Sequence, residues 1–391
     1  MDVDAPYPLR TDPVYRHYIW GGSGLHELLG KPLGPDGTLA ESWEVADDAR
    51  VANGPWQGQT MREVDEATGG LLRGDTPSYP NARISLLIKL SDAAQDLSVQ
   101  IHPTDEQALR DEPERGYPGK SEMYVILQAE PGAGIYWGLQ AGTSKEELER
   151  ACRSGKGVRE LLHFVPVVAG DVLYSPSGVV HAIGKGVVYC EVQQNSDITY
   201  RLYDWGRLDA QGKPRPLHLG RGLAVIDPHP PVRPTIQPLT LPMPSSTVVE
   251  TRFAQSEVGL ESYQVAAKAR GTRRLACATP HFAVELLELE GPTELTRARR
   301  ALAAALVLEG RVLIEGPAAE TVLCETGQSL VIPASLSGVV ATPEGDGGAR
   351  ILLAYVPEMQ ADIVAPLLAA GYTAAEIAQL GEVPGYPAER A

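Results

Sequence analysis

The 391-residue sequence predicts a mainly β protein: two β-barrels in series, with a helical insert in the first and a helical tail at the C-terminus. Three observations predict this. Short apolar runs recur along the chain, among them residues 83–90, 97–102, 186–193, 282–289, 301–308, 311–315 and 329–333, each of strand length and bounded by turn residues. Glycine (40) and proline (32) are abundant and fall between those runs, while hydrophobic residues still make up 43% of the chain, enough for a core and too many for disorder. A turn frame also occurs twice. Gly170 is followed by Pro176, Gly178 and His181, and Gly327 by Pro333, Ser335 and Gly338 at the same spacings. The frame is shared, but the histidine is replaced by glycine in the second copy.

The elements follow in order. Residues up to about 76 are rich in turns and hold Trp20-Gly21-Gly22 and the ESWEV run at 41–45. Residues 83–90 read as a buried strand and 97–102 as the next. On that second strand Gln100 and His102, two apart, point to the same face. Glu122 lies in GKSEMYVIL (119–127), again strand-like. Residues 143–164 change period to that of a helix, with Thr143 or Ser144 as cap and Glu146 and Glu147 in the first turn, where the helix dipole favours them. Strands resume at 165–174 and 186–193. The proline-rich stretch 227–244 reads as a linker, because its prolines cannot donate ladder hydrogen bonds. It divides a first domain, 1–235, from a second, 240–357. From 358 to 391 the chain turns helical, with a capping box from Thr373 to Glu376 after Gly371, which stops the preceding helix.

Composition narrows the class. A formal charge of −16 argues against nucleic acid or anionic membrane as partners by bulk attraction, and reads as solubility. The cysteines Cys152, Cys190, Cys277 and Cys324 form no Cys-x-x-Cys pair, so neither a zinc ribbon nor a redox motif is expected. MDVDAPYPLR has no apolar core and is not read as a signal peptide, and no run has membrane-spanning length. The expected setting is a reducing cytoplasm.

Gln100, His102, Glu122 and His181 are four N/O donors on strand-like segments, the set expected to hold a divalent metal with a position left open. An amide oxygen, two imidazoles and a carboxylate form a moderately hard set that suits Zn²⁺, Mn²⁺, Fe²⁺ or Co²⁺. His17, His26, His163, His218, His229 and His281 read as ordinary core or surface residues. With Gly338 in place of the histidine, the second barrel is expected to be metal-free.

The Gly170–Pro176–Gly178–His181 spacing is similar to the second motif of the cupin (jelly-roll) barrels. More narrowly, LSVQIHP (97–103), GKSEMYVIL and EVQQNSDITYRLYDWGR (191–207) resemble the type I mannose-6-phosphate isomerases, as do WGG, ESWEV and the helical insert. The resemblance spans roughly residues 7–225, and beyond that only the general barrel pattern is similar. It implies zinc on the residues matching Gln100, His102, Glu122 and His181. It also implies interconversion of D-mannose 6-phosphate and D-fructose 6-phosphate without a redox cofactor. Longer members carry a histidine directly before the lysine of this motif. Here that residue is Gly119, so a mechanism using it is closed to this chain.

Aldose–ketose isomerisation moves a proton between C2 and C1 through a cis-enediol(ate). It needs a Lewis acid, a positioned base and positive charge for the developing oxyanion. Arg201, a permanent cation, suits the oxyanion or a phosphate. Lys120 stands two before Glu122 and is expected on its face, where a nearby dication would lower its pKa. Asp197 and Glu191 are the carboxylates available as base or to orient Arg201, and the base stays open among Lys120, Asp197 and Glu191. Ser98, Arg207 and Lys89 are candidates for a basic phosphosugar pocket, and Trp20 for stacking on the sugar. Two alternatives stand beside this reading: another metal-dependent cupin isomerase or epimerase acting on an unphosphorylated sugar, and a non-catalytic sugar-binding cupin.

Overall fold

A computed structural model describes residues 7–208, 212–244, 247–256, 259–296, 301–317, 321–345 and 347–390. The chain forms two compact units, neither continuous in sequence. One comprises Pro13–Ala49, Pro77–Gln237 and Ala374–Ala391, and the other Met1–Asp12, Arg50–Thr76 and Pro238–Thr373. Division at the 227–244 stretch therefore leaves three segments in the unit opposite to the one sequence order suggests. Long-range pairing is the reason. The strand Leu9–Asp12 runs antiparallel to both Ser329–Ile332 and Arg50–Val51, with Leu9 opposite Val331.

The first unit has a seven-stranded and a five-stranded antiparallel sheet. The seven strands lie in the order Thr235–Ile236, Val172–Ser175, Glu122–Ala129, Val187–Gln194, Leu86–Ala93, Glu41–Val45, Val14–Arg16. The five lie in the order Tyr200–Tyr203, Val99–Ile101, His181–Ile183, Gly134–Leu139, Leu162–Pro166. Strands Leu86–Ala93 and Val187–Gln194 are buried at every residue, so apolar side chains serve both faces and the sequence shows no alternation.

The five-stranded sheet does alternate. Ile135, Trp137 and Ile183 join Tyr124, Ile126, Leu173 and Tyr189 of the larger sheet in one core between the sheets. Val99, Ile101, Tyr136 and Ala182 face the other way, against Leu148, Ala151 and Leu219 of the helices Lys145–Ser154 and Leu219–Ala224. Because Gln100 falls between Val99 and Ile101, and His181 precedes Ala182, both aim at the space between the sheets.

The helical insert is shorter than its period predicts. Ser144 is the cap, its Oγ accepting from Glu147 N at 3.1 Å. Gly155 (φ 69°) ends the helix in the left-handed conformation, and Gly157 (φ 75°) follows it. Residues 159–161 form one 3₁₀ turn, and the strand Leu162–Pro166 begins where helix was expected to continue. The 227–244 stretch is likewise not bare linker. Between its prolines it carries Thr235–Ile236, paired with Val172–Ser175, and Leu239–Leu241, paired with Gly271–Ala278.

The second unit repeats the two-sheet plan with eight and four strands, and a further hairpin is formed by Thr247–Ser256 and Gly259–Lys268. The repeated turn frame opens corresponding buried strands: Gly170 (φ 94°) precedes Val172–Ser175, and Gly327 (φ 81°) precedes Ser329–Ile332. The C-terminal region is helical. A π-helical turn, Met359–Val364, leads into Ala365–Ala369, Gly371 (φ 90°) stops it, and Ala374–Ala378 follows Thr373. Among the described residues no helix is long and apolar enough to cross a membrane. All four cysteines are free and buried.

Candidate active site

Register within the first unit assembles the site. In the five-stranded sheet Gln100 lies opposite His181 on one side and opposite Arg201 on the other, so three distant residues share one row. In the seven-stranded sheet Lys89 lies between Trp43 and Glu191, and Glu191 lies next to Tyr124. Glu122 begins its strand two residues before Tyr124 and on the same face. The rows meet at a cavity of about 420 Å³ whose lining includes Gln100, Lys120, Glu122, Glu191 and Arg201.

His102, Glu122 and His181 are buried, and their ligand atoms lie within 4.8 Å of one another. Glu122 Oε1 is 2.8 Å from His181 Nε2 and 3.4 Å from His102 Nε2. The other ring nitrogens are engaged from behind: His102 Nδ1 donates to Ile198 O at 2.8 Å, and His181 Nδ1 to Val179 O at 3.0 Å, with Ser175 Oγ at 3.2 Å. Each imidazole therefore carries its proton on Nδ1 and turns an Nε2 lone pair towards the carboxylate, the tautomer that backbone acceptors impose on metal-binding histidines. Burial, and then the charge of Lys120, lower the His102 pKa to about 4, so that ring is neutral. Lys120 Nζ meets one edge of this group, 2.8 Å from Glu122 Oε2 and 3.5 Å from His102 Nε2, and leaves the His181 lone pair and Glu122 Oε1 facing each other, an arrangement that a further cation would relieve. The donors present fit a divalent metal. Gln100 completes the set: its amide nitrogen is 3.3 Å from His181 Nε2, and a half-turn of the amide presents the oxygen instead.

Lys120 precedes the strand rather than lying on it, yet its Nζ reaches Glu122 Oε2 at 2.8 Å and Glu191 Oε1 at 3.6 Å. Burial works to lower its pKa, but Glu122 and Glu191 outweigh burial and hold it above the ordinary value. Among protein groups alone, the shift is opposite to the lowering expected beside a dication. Glu122 is held well below the ordinary carboxylate range: burial opposes ionisation, and the charge of Lys120 beside it overcomes burial. Glu191 goes the other way. Burial raises it to about 7 against the pull of Lys89 and Lys120, and its Oε1 makes no hydrogen bond.

The remaining expected residues separate. Ser98 and Trp20 are buried and line the cavity, with Ser98 Oγ 3.4 Å from Gln100 Oε1 and Trp20 stacked on Tyr18 at 5.5 Å. Asp197 lines the cavity and is exposed. Lys89 lines it between Glu191 (3.8 Å) and the face of Trp43 (5.0 Å), whose ring also carries Arg16. Arg207 does not line the cavity. It binds Asp204 and donates to Asp96 O at 2.6 Å, held there by a carboxylate that its sequence position does not reveal.

Sequence reasoning missed Tyr18, Trp43, Arg115, Tyr124, Arg215 and His218 as lining residues. Tyr124 carried a signal, since it stands two past Glu122 on the same face and its hydroxyl donates to Glu122 Oε1. Arg115 and Arg215 lie in loops and carried none.

Comparison with known proteins bears on these features. The family described as phosphomannose isomerase type I, catalytic domain, matches residues 9–130, which hold Gln100, His102, Lys120 and Glu122. Mannose-6-phosphate isomerase ManA of Bacillus subtilis strain 168 is 44% identical over 227 residues, 56% of this chain and 68% of that relative. The mannose-6-phosphate isomerase of Streptococcus mutans is 38% identical over 223 residues, 56% of this chain and 67% of that relative. A crystal structure of the Bacillus subtilis mannose 6-phosphate isomerase superposes with a TM-score of 0.70 at 29% identity, covering 89% of this chain and 99% of that one. With 44% identity over more than two thirds of a relative, and the His–Glu–His group in the same chain, this protein belongs to the type I phosphomannose isomerase family.

Proposed function

We propose that the protein is a metal-dependent aldose–ketose isomerase that interconverts D-mannose 6-phosphate and D-fructose 6-phosphate, with zinc held by Gln100, His102, Glu122 and His181. The observation that carries this reading is the pair of inward Nε2 lone pairs on Glu122, in a cavity that also holds Lys120, Glu191 and Arg201. Zinc bound there supplies Lewis-acid polarisation of the sugar's carbonyl and hydroxyl oxygens.

The chain's own residues do the rest. Glu191 takes and returns the proton between C2 and C1. It is buried, its Oε1 is free of hydrogen bonds, and a carboxyl poised near neutrality suits transfer in both directions. Lys120 stays protonated between Glu122 and Glu191 and donates towards the oxyanion of the enediolate. Arg201 lends permanent positive charge at the other side of Gln100. Asp197, exposed at the cavity, orients sugar hydroxyls, Ser98 supports the Gln100 amide, and Trp20 walls the apolar side. The free thiols suit a reducing cytoplasm.

The test is a coupled assay on mannose 6-phosphate with metal-stripped and zinc-reconstituted protein side by side. Fructose 6-phosphate should form only with metal present. Folded, zinc-loaded protein that turns over unphosphorylated mannose as well as the phosphate ester, or neither of them, would overturn the reading.

A further inference from the structure

Gln100 stands on a strand of three residues, Val99–Ile101. That strand pairs with His181–Ile183 at the single position Gln100–His181, and its pairing with Tyr200–Tyr203 is irregular between Arg201 and Tyr203. So short a ladder constrains Gln100 weakly, yet two donors to one ion must be placed to a fraction of an ångström. The constraint comes from Asp96 and Leu97, just before the strand. Leu97 N donates to Ile183 O at 2.8 Å, and Asp96 Oδ1 accepts Lys185 N at 2.8 Å, which ties this end to the strand bearing His181. Leu97 O accepts Trp205 Nε1 at 2.6 Å, and Asp96 O accepts Arg207 Nη1 at 2.6 Å, which ties it to the turn after the strand bearing Arg201. Arg159, from the 3₁₀ turn that follows the insert helix, closes the group by donating to Asp96 Oδ2.

Trp205 is the unusual member of this group. Among the described residues it alone of the non-glycines has a positive φ, 56°. Gly206 follows at φ 69°, and Arg207 N donates to Asp204 O at 3.0 Å across the turn. A four-residue turn with two positive φ values ordinarily carries Asn-Gly or Gly-Gly, because a larger side chain there crowds the backbone carbonyl. Such strain persists only where the surroundings hold the residue in place. Here the Arg159 guanidinium lies 4.3 Å from the centre of the indole, with the rings of Tyr203 and Tyr136 at 5.3 and 5.9 Å. The indole packs against the helix-facing core that includes Val99 and Ile101, and neither it nor Asp96 nor Arg159 lines the cavity. Chain reversal alone would not call for a tryptophan. What the indole adds is an N–H at Leu97 O, three residues before Gln100.

We infer that Trp205, held by Arg159 and braced beside Asp96, is a positioning residue for the metal-facing row: through the Leu97 carbonyl it fixes where Gln100 lies beside His181. It acts from the far side of the sheet and touches neither ion nor sugar. Gln100 is the donor that depends most on such placement. His102 and His181 are each braced by a hydrogen bond from Nδ1 to a backbone carbonyl, at 2.8 and 3.0 Å. The Gln100 amide has Ser98 Oγ at the longer distance of 3.4 Å. Its aim is therefore set by its backbone, and its backbone by the group around Asp96 and Leu97. The inference rests on the reading of Gln100 as a metal donor and is independent of which sugar is turned over.

The probe is Co²⁺, titrated into metal-stripped wild type, Trp205→Phe and Trp205→Gly. Affinity is read by competition with a chelator, and ligand geometry by the visible spectrum. Trp205→Phe keeps a ring and loses the N–H. It should weaken cobalt binding by about tenfold, the scale of losing a partner behind a metal ligand, and change the spectrum. Trp205→Gly loses the same N–H and relieves the left-handed backbone, so it keeps the test valid if the Phe variant fails to fold. Repeating the comparison in a Gln100→Ala background separates positioning from general loosening. If Trp205 acts through Gln100, Trp205→Phe should there change cobalt affinity by less than about twofold. A loss of about tenfold in that background as well, or wild-type affinity and spectrum in both folded Trp205 variants, overturns the inference. Wild type that binds no cobalt overturns it together with the metal reading. Wild type that binds cobalt with this dependence on Trp205, yet does not isomerise mannose 6-phosphate, overturns the isomerase reading and leaves the inference standing.

Discussion

Each unit buries a carboxylate on a central strand, and the two are treated in opposite ways. In the second unit Glu285 is saturated: Arg273 grips both its oxygens at 2.8 and 2.7 Å, and Tyr355 donates at 2.7 Å. Donors fill every direction and no chemistry is left to do. In the first unit Glu122 also has a tyrosine and a cation against it, but its remaining neighbours are two imidazoles presenting lone pairs. Glu285 is met by donors alone, while Glu122, besides Lys120 and Tyr124, faces two imidazole lone pairs that a metal ion would engage. The turn frame shows the same difference in sequence, with His181 at the end of one copy and Gly338 at the end of the other. A shared fold can therefore carry a buried charge either as structure or as a site, depending on whether its neighbours donate or accept.

That contrast can be broken from either side. The largest effect is expected from His181→Ala, which removes one of the two inward lone pairs. Metal content should collapse and kcat/KM should fall by about 10³-fold or more, since the electrostatic contribution at the reacting oxygens goes with the ion. Retained metal and activity in this variant would mean that the His–Glu–His group is not the centre. Next comes Arg273→Ala, which strands Glu285 in the interior. It should cost about 3–5 kcal/mol in urea unfolding, with metal content unchanged in the folded protein. Loss of metal instead would show that the second carboxylate is not merely structural.

The smallest effect sharpens the comparison by pH. Burial raises the Glu191 carboxyl from 4.5 to about 7, so the folded chain keeps a proton that the unfolded chain releases. Stability from that proton is complete below pH 4.5 and is lost as pH rises to 7. Urea midpoints of metal-stripped wild type should therefore fall across that window relative to Glu191→Gln. Parallel curves would show that Glu191 is ionised throughout.

Much of the metal end was legible in the chain. Gln100 and His102 are two apart, Glu122 opens an apolar run, and His181 closes a Gly–Pro–Gly frame, so local spacing and strand period are enough to name them. The helical insert was legible at its start, where Ser144 and the two glutamates act within one turn. It was misread at its end, because leucines at 161 and 162 fit a helix and a strand equally and only Gly155 and Gly157 decide between them. Arg207 illustrates the limit. Its motif position suggested a ligand contact, and the carboxylate that holds it away, Asp204, is only three residues off but is aimed by the fold.

The sequence by itself determined which residues are able to bind a metal, which runs become strands and where turns must fall, because those properties depend on side-chain chemistry and on neighbours a few positions away. Only the tertiary structure decided which of them meet. Antiparallel register placed His181, Gln100 and Arg201 in one row and set Lys89 against Glu191. It also drew Leu9–Asp12 to a strand more than 300 residues later. The upward shift of the Glu191 carboxyl and the saturation of Glu285 follow from those meetings, since burial and distance set the energy of a charge and neither is written in the order of residues.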